Sequence, residues 1–131
     1  MNRKNISSGA VWEDKVGYSR AVKIGNLLEI SGTTASEEDK IIGINDAYAQ
    51  TVYILNKIKI VIENEGGSLI DIVRTRIFVT NIDHWQKIGR AHHQFFAEIK
   101  PATTMVEVNR LIHPDMLVEI EVTAIINTQF D

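Results

Sequence analysis

The sequence predicts an α+β domain in which a mainly antiparallel sheet carries two helices on one face. Residues 101–126 alternate at a two-residue period in both halves, as two paired strands do. Residues 45–65 and 82–99 instead repeat their apolar positions at helical spacing. The predicted order is strand, strand, helix, strand, helix, strand, strand, so this chain leaves the second face of the sheet uncovered.

Length and composition fit a single domain over residues 1–131. The chain has 131 residues, of which 44% are hydrophobic and 24% are charged, enough for a core and unlike a disordered chain. A formal net charge of −3 provides no basic surface for a nucleic acid, so we expect no nucleic-acid partner. We find no signal peptide and no apolar run of transmembrane length, and we expect a cytoplasmic protein without a membrane partner.

Several kinds of reactive site are excluded or disfavoured by the residue types present. The chain has no cysteine, which excludes disulfides, thiolate metal sites and cysteine nucleophiles. Ser31 has no histidine and acid arranged in a nucleophile motif, so covalent catalysis is not predicted. The four histidines lack any recognised ligand spacing, and we expect neither a metal nor a cofactor. They are His84, His92, His93 and His113.

Residues 21–31 are expected to form the first hairpin. Two short apolar stretches break at Gly25-Asn26, a pair typical of a tight hairpin turn. Ser31-Gly32-Thr33-Thr34 then ends the second strand, where Gly32 allows close backbone approach and the hydroxyls can form hydrogen bonds. This stretch is either a ligand-binding edge or simply the end of a strand and its turn.

The middle of the chain is predicted to be helix, strand, helix. The first helix spans about Asn45 to Glu65 and stops at Gly66-Gly67, and the second runs from about Ile82 to Ile99, before Pro101. The strand between them is expected to direct Val73, Thr75, Ile77 and Val79 to one face and Arg74, Arg76 and Phe78 to the other. The second helix is expected to bury a stripe made of Trp85, Ile88, His92, Phe95, Phe96 and Ile99.

The two last strands are expected to give the open face of the sheet a mixed character. In the final strand Glu119 and Glu121 alternate with apolar residues that face the helices. We expect Thr103, Met105 and Glu107 of the preceding strand to share the face of these two carboxylates. Such a face is too apolar for open water and too charged for a dry core, so we expect oligomerisation through it.

Single residues on these elements allow both a functional and a structural interpretation. Glu119 could serve as a general base in a partly apolar cleft, or form an ion pair at an interface. Interface pairing is the preferred interpretation for Glu107 and Glu121. His92, on the helix stripe, is either a satisfied core histidine or reaches a cleft. Trp12 and Tyr18 could cover a ligand or pack as anchors.

Six short pieces of the chain form a pattern through their order and spacing: Tyr18-Ser19-Arg20-Ala21-Val22, Ile30-Ser31-Gly32-Thr33, Gln50-Thr51, Phe95-Phe96, Pro101-Ala102 and Val118-Glu119-Ile120-Glu121. Taken together, they resemble the reactive intermediate deaminase family, RidA/YjgF, over nearly the whole chain. The resemblance implies a chorismate-mutase-like fold (YjgF-like) and a homotrimer with a ligand cleft at each subunit interface. Active family members hydrolyse 2-imino acids to 2-keto acids and ammonium without metal or organic cofactor.

The resemblance also assigns residues to the cleft. Tyr18, Ser31, Gly32 and Glu119 match cleft positions of the family, and the glutamate on the last strand is the one that positions the attacking water. A substrate-binding arginine follows Pro-Ala in the family, whereas this chain has Thr103. Threonine cannot grip a carboxylate through two charge-assisted hydrogen bonds as a guanidinium does.

Other residues near the altered motif could set a different substrate range. Met105 stands where the family often has a cysteine, and Arg20, Arg76 or His92 could replace the missing cation. Alternatively, the substrate is neutral or differently charged, which would suit the hydroxyls of Thr103 and Thr104.

We therefore expect a small-metabolite cleft at a trimer interface, with Glu119 as the catalytic residue. Its substrate-binding set is Tyr18, Ser31, Gly32, Thr103, Met105 and His92. The expected activity is that of an enamine or imine deaminase, or a related hydrolase, of altered substrate range. A non-catalytic small-molecule binding trimer is the alternative. Endoribonuclease activity, which has been attached to the family, is the weakest alternative because the chain is acidic and lacks a basic stripe.

Overall fold

A six-stranded sheet is the framework of the molecule, and two long helices pack on one of its faces. The computed structural model describes residues 1–131. The strands are β1 (Arg3–Ile6), β2 (Ala21–Ile24), β3 (Leu27–Thr34), β4 (Ser36–Glu37), β5 (Lys40–Ile41), β6 (Ile72–Val79), β7 (Ala102–Glu107) and β8 (Val118–Ile125). The helices are α1 (Val11–Val16), α2 (Ala47–Asn64) and α3 (Trp85–Phe96). The sheet order is β1-β2-β3-β8-β6-β7, with β4 and β5 in a separate ribbon, which confirms the predicted α+β class.

The predicted hairpin at Gly25-Asn26 is confirmed. Strands β2 and β3 pair antiparallel on either side of this dipeptide, with Ile24 opposite Leu27. Gly25 has a φ of 58°, as the first central residue of a type II′ turn requires. Strand β1 adds to the free edge of β2 and was not predicted, since its sequence RKNI carries only one apolar residue.

The prediction that the two halves of residues 101–126 pair with each other is wrong. Both halves are strands, but β8 lies between β3 and β6, antiparallel to each, whereas β7 lies parallel to β6 at the sheet edge. Helix α3 connects β6 to β7 as a crossover, the connection that parallel neighbours need. The central place goes to β8, whose apolar residues at every second position are buried.

The expected face of Thr103, Met105 and Glu107 is also wrong. In the β6–β7 register they lie opposite Thr75, Ile77 and Val79, so they point to the face that the helices cover. Their neighbours Thr104 and Val106 lie instead on the open face, beside Arg76 and Phe78. Alternation shows which residues share a face but does not show which face that is, and the strand pairing decides the matter.

Two predicted core residues are exposed. A register shift between Ile72 and Arg74 buries Ile72 in place of Val73, which is 39% exposed. On α3 the buried stripe contains Ile88, Ala91 and Phe96, whereas Trp85, in the first turn of the helix, is 55% exposed.

The core lies between the sheet and helices α2 and α3. Helix α2 begins after Asp46, whose carboxylate accepts the backbone N–H of Ala49 at 2.9 Å. Gln50, fully buried on α2, binds the backbone of the segment before β8 through Asp115 O and Leu117 N, both at 2.8 Å. None of the helices combines the length and hydropathy that a membrane span requires. The largest fully buried hydrophobic side chains are Leu28, Ile54, Leu55, Ile58, Ile62, Ile72, Ile77, Ile88 and Ile120.

Candidate functional site

Glu119 is a half-buried carboxylate on the open face of the sheet. Its strand neighbours are Thr34 of β3 and Phe78 of β6, so an apolar ring stands on one side of it. Burial raises the pKa of Glu119, and the negative charge of Glu121 adds to this increase, whereas the positive charge of Arg20 opposes it. A carboxyl group with a raised pKa in such a place is suited to proton transfer.

A bulge in β3 brings Gly32 against this carboxylate. The pairing of β3 with β8 shifts between Ile30 and Thr33, which leaves Ser31 and Gly32 out of the regular register. A Cβ at Gly32 would overlap with Oε2 of Glu119 and lie 3.0 Å from its Cδ. Only glycine therefore lets the carboxyl group occupy its observed position, which supports the prediction that Gly32 permits close approach.

The Ser31 hydroxyl is engaged within the chain rather than pointing freely into a cleft. It donates to Ser19 O at 2.7 Å, and the Ser31 backbone N–H donates to Arg20 O at 3.0 Å. These two bonds tie the bulge to the segment that enters β2. Tyr18, at the start of that segment, is 39% exposed and follows Gly17, which ends α1 with a φ of 91°.

Arg20 connects the bulge to its surroundings. Its Nη2 donates to Gly32 O at 2.7 Å, and its Nε is buried without a hydrogen-bond partner. The nearby carboxylate of Glu13 is buried on α1 and accepts hydrogen bonds from Ser7 and Ser8. These hydrogen bonds and the charge of Arg20 overcome the effect of burial and lower the pKa of Glu13. Sequence reasoning missed this role of Glu13, for which the preceding serine pair was the available signal.

Thr103 and His92 belong to a second cluster on the helix-covered side. Thr103 Oγ1 lies 2.8 Å from Thr75 Oγ1, which lies 3.0 Å from His92 Nε2. Thr103 donates its single hydroxyl proton to Pro101 O at 3.1 Å, so Thr75 donates to Thr103 and His92 Nε2–H donates to Thr75. Burial lowers the pKa of His92 to about 4, and its ring contacts that of Phe96 at 4.5 Å between centroids.

The sequence-predicted residues thus fall into two groups within one chain. Gly32 and Glu119 meet at the bulge, whereas Thr103 and His92 meet through Thr75, to which the sequence assigns no role beyond its strand face. Met105 packs against the hydrophobic core on the helix side. The two groups lie on opposite faces of the sheet.

The other carboxylates of the predicted mixed face have separate roles. Glu121 lies 3.8 Å from Arg76 on the neighbouring strand, an ion pair within the chain. Glu107 accepts the Ile82 backbone N–H at 3.0 Å across the helix-covered side, so within this chain it caps the turn before α3. No group of three or more histidine, aspartate or glutamate residues is arranged to hold a metal ion.

A cavity of about 340 Å³ lies between the N-terminal strand and α2. Arg20, Thr33 and Lys57 line it, whereas Glu119 does not. Lys57 donates there to Thr34 O and Ser36 O at 3.4 and 2.9 Å, and burial lowers its pKa. Glu119 therefore faces an open sheet surface and not this cavity.

Comparison with known proteins gives consistent results. A family model described as Endoribonuclease L-PSP matches residues 12–126. The chain is 35% identical over 104 residues to the 3-aminoacrylate deaminase RutC of Acinetobacter baylyi, covering 79% of this chain and 82% of that protein. Its fold matches Mycobacterium tuberculosis Rv2704, a member of the highly conserved YjgF/YER057c/UK114 family, with a TM-score of 0.86, 46% identity and coverage of 95% and 100% of the two chains. It also matches YyfA of Yersinia pestis, of the conserved Rid protein family, with a TM-score of 0.84, 30% identity and coverage of 95% and 100%.

Proposed function

The chain belongs to the endoribonuclease L-PSP family, also known as YjgF or RidA, and we propose that it is an enamine or imine deaminase acting on a small metabolite. The observation that carries the proposal is the Glu119 carboxyl group, half-buried beside Phe78 and set against Gly32. A pKa raised above the ordinary carboxyl value suits a group that takes up and returns a proton during the reaction. The deaminase name of a relative that is 35% identical supports this reaction class.

The proposed chemistry is hydrolysis of a carbon–nitrogen double bond. A proton shift to carbon converts the enamine into its imine. Water then adds to the imine carbon, and Glu119 accepts the proton that the water loses as the new carbon–oxygen bond forms. The carboxyl group returns that proton to the nitrogen, which gives a carbinolamine. Glu119 then takes the remaining hydroxyl proton as the carbonyl forms and passes it to the nitrogen, so that the carbon–nitrogen bond breaks and ammonia leaves. Imine and water thereby give a carbonyl compound and ammonia.

We propose that a homotrimer completes the cleft. The open face of the sheet is mixed, with Phe78, Val106 and Ile125 beside the carboxylates, a composition suited to contact with another subunit. Within one chain, Glu119 and Thr103 point to opposite faces, so neighbouring subunits are needed to bring both kinds of residue to one cleft. Sedimentation at three times the chain mass of 14.8 kDa is the expected result, and a monomer in solution would contradict it.

The proposed substrate range differs from that of relatives with an arginine after Pro-Ala. The Thr103 hydroxyl donates to Pro101 and accepts from Thr75, so it offers little to a substrate carboxylate. A non-catalytic binding trimer is the second candidate, and the internal engagement of Thr103 is the observation that favours it. A net charge of −3 argues against a ribonuclease that must hold phosphates.

The proposal is tested by single-turnover release of ammonium from 2-aminoacrylate and 3-aminoacrylate, each generated in place. We expect wild-type turnover and a loss of about 100-fold or more in Glu119→Gln, because a general base of this kind contributes 10²–10⁴-fold. Glu121→Gln is the matched control, two residues along the same strand and face, and it should stay within about threefold of wild type.

Two other outcomes would redirect the assignment. A silent wild type with gain of activity in Thr103→Arg would show a competent cleft with a different natural substrate. Equal turnover by wild type and Glu119→Gln would refute the role of Glu119 in the reaction.

A further inference from the structure

Arg20 and Glu119 are linked through Gly32, which both side chains contact. The Arg20 guanidinium donates a hydrogen bond to the Gly32 carbonyl oxygen at 2.7 Å. The Glu119 carboxyl group lies against the Cα of Gly32. Gly32 belongs to the bulged part of β3, where regular ladder pairing with β8 is interrupted. The position of this residue therefore depends on the side-chain hydrogen bond more than it would in a regular strand.

Arg20 is half-buried, so part of its side chain is shielded from solvent. Its Nε is buried and makes no hydrogen bond with another group of the chain. Unsatisfied buried groups are rare in folded proteins and often accompany a functional requirement.

The other charged groups around Arg20 and Glu119 are already engaged. Lys57 of α2 donates to Thr34 O and Ser36 O, and Arg76 of β6 pairs with Glu121. On the α1 side, Glu13 is held by the Ser7 and Ser8 hydroxyls. Arg20 is left as the cation whose charge acts on Glu119, against the effects of burial and of Glu121.

We propose that Arg20 is a positioning residue for Glu119: it fixes the Gly32 peptide against which the Glu119 carboxyl group lies, and it places a positive charge near that carboxyl group. Its catalytic significance rests on the proposed function of Glu119 as the proton acceptor. A water molecule can lose its proton only to the ionised form of that group. Arg20 acts through Gly32 and Glu119 and requires no contact with the substrate.

The first test measures the titration of Glu119 in the full-length protein by carboxyl ¹³C NMR, which needs no enzymatic activity. Arg20→Gln should raise the pKa of Glu119 further, because the opposing charge is removed. Arg20→Lys should leave the pKa closer to wild type, since it keeps a charge. Lys57→Gln, which removes the other half-buried cation nearby, should cause no increase. An unchanged Glu119 titration in folded Arg20→Gln would overturn the proposal.

A second measurement uses wild-type protein, in case Arg20→Gln does not fold. The ¹⁵Nε resonance of Arg20 should shift with the same midpoint as Glu119, and this shift should disappear in Glu119→Gln. A flat Arg20 profile in wild type would also overturn the proposal. If the two residues titrate together while wild type releases no ammonium, the positioning role stands and the deaminase assignment fails.

Kinetics separate positioning from simple structural support if the wild type is active. Arg20→Lys should lower kcat with little change in KM, because the ammonium keeps the charge but holds Gly32 less rigidly. Arg20→Gln should in addition shift the acid limb of the kcat/KM profile to higher pH, which loss of stability alone would not do. A fall in activity with an unshifted limb in Arg20→Gln would contradict the electrostatic part of the proposal.

Discussion

The Glu119 carboxyl group occupies the space where a side chain at Gly32 would begin. Gly32→Ala should therefore turn the carboxyl group away from the bulge and reduce ammonium release by about 100-fold, since displacement of a catalytic group by about 1 Å has this effect. The cost in stability should be below about 2 kcal/mol, because the displaced atoms are the end of a flexible side chain.

Gly89→Ala is the matched control for this substitution. Gly89 lies in α3, and nothing stands within 4 Å of a Cβ placed there. Alanine at this helical position should stabilise the protein by about 0.5–1 kcal/mol and leave the activity unchanged. Full activity in Gly32→Ala would show that the Glu119 carboxyl group need not remain where the structure has it.

Removing the charge of Glu119 should stabilise the protein at neutral pH. Burial raises the pKa of Glu119 above the ordinary value of 4.5, so ionisation costs more in the folded state than in the unfolded state. The cost is absent at acid pH and develops as the pH rises above 4.5. Glu119→Gln should thus raise Tm more at pH 7 than at pH 4. A Tm for Glu119→Gln that falls below wild type at pH 7 would contradict this expectation.

The face of β8 that carries Glu119 could be predicted because the strand alternates strictly, with Val118 and Ile120 on either side of the glutamate. The residues that surround Glu119 in the folded chain could not be predicted in this way. A bulge at Ser31-Gly32 shifts the pairing of β3 with β8 by one residue, and the alternation of the sequence does not show this shift. The contact between Gly32 and Glu119 arises from this shift together with a pairing between strands far apart in sequence.

The second cluster shows the same limit for β7. The sequence correctly predicts that Thr103 and Met105 share a face of β7. It wrongly predicts that this is the open face, since both residues lie on the helix-covered face. The side depends on the parallel pairing with β6, which follows from the crossover through α3 and not from the alternation itself. The hydroxyl chain from Thr103 to His92 therefore became visible only with the register, because Thr75 reads as an ordinary core position.

His92 should make the protein sensitive to acid. Its pKa is about 4 in the folded state against 6.5 for an unperturbed histidine, so the unfolded state binds the proton more readily. The contribution to stability is complete above pH 6.5 and is lost as the pH falls toward 4. Urea unfolding between pH 7 and 4.5 measures this slope.

His92→Gln should flatten the acid slope, whereas His93→Gln, at an exposed position of the same helix, should retain it. His92→Gln should also lower stability at pH 7, because the ring contact with Phe96 is lost. Equal slopes for wild type and His92→Gln would show that other groups govern acid unfolding.

The Thr75 hydroxyl links Thr103 to His92 in the second cluster, so its removal should lower the free energy of unfolding. Thr75→Val keeps the shape of this fully buried side chain but removes the hydroxyl between Thr103 and His92. His92 Nε2–H is then left without its acceptor, and the expected loss is about 1–3 kcal/mol by urea unfolding. Thr104→Val, exposed on β7, makes the same chemical change and should stay within about 0.5 kcal/mol of wild type. Similar stabilities for the two variants would mean that the hydroxyl chain contributes nothing to holding β7 against α3.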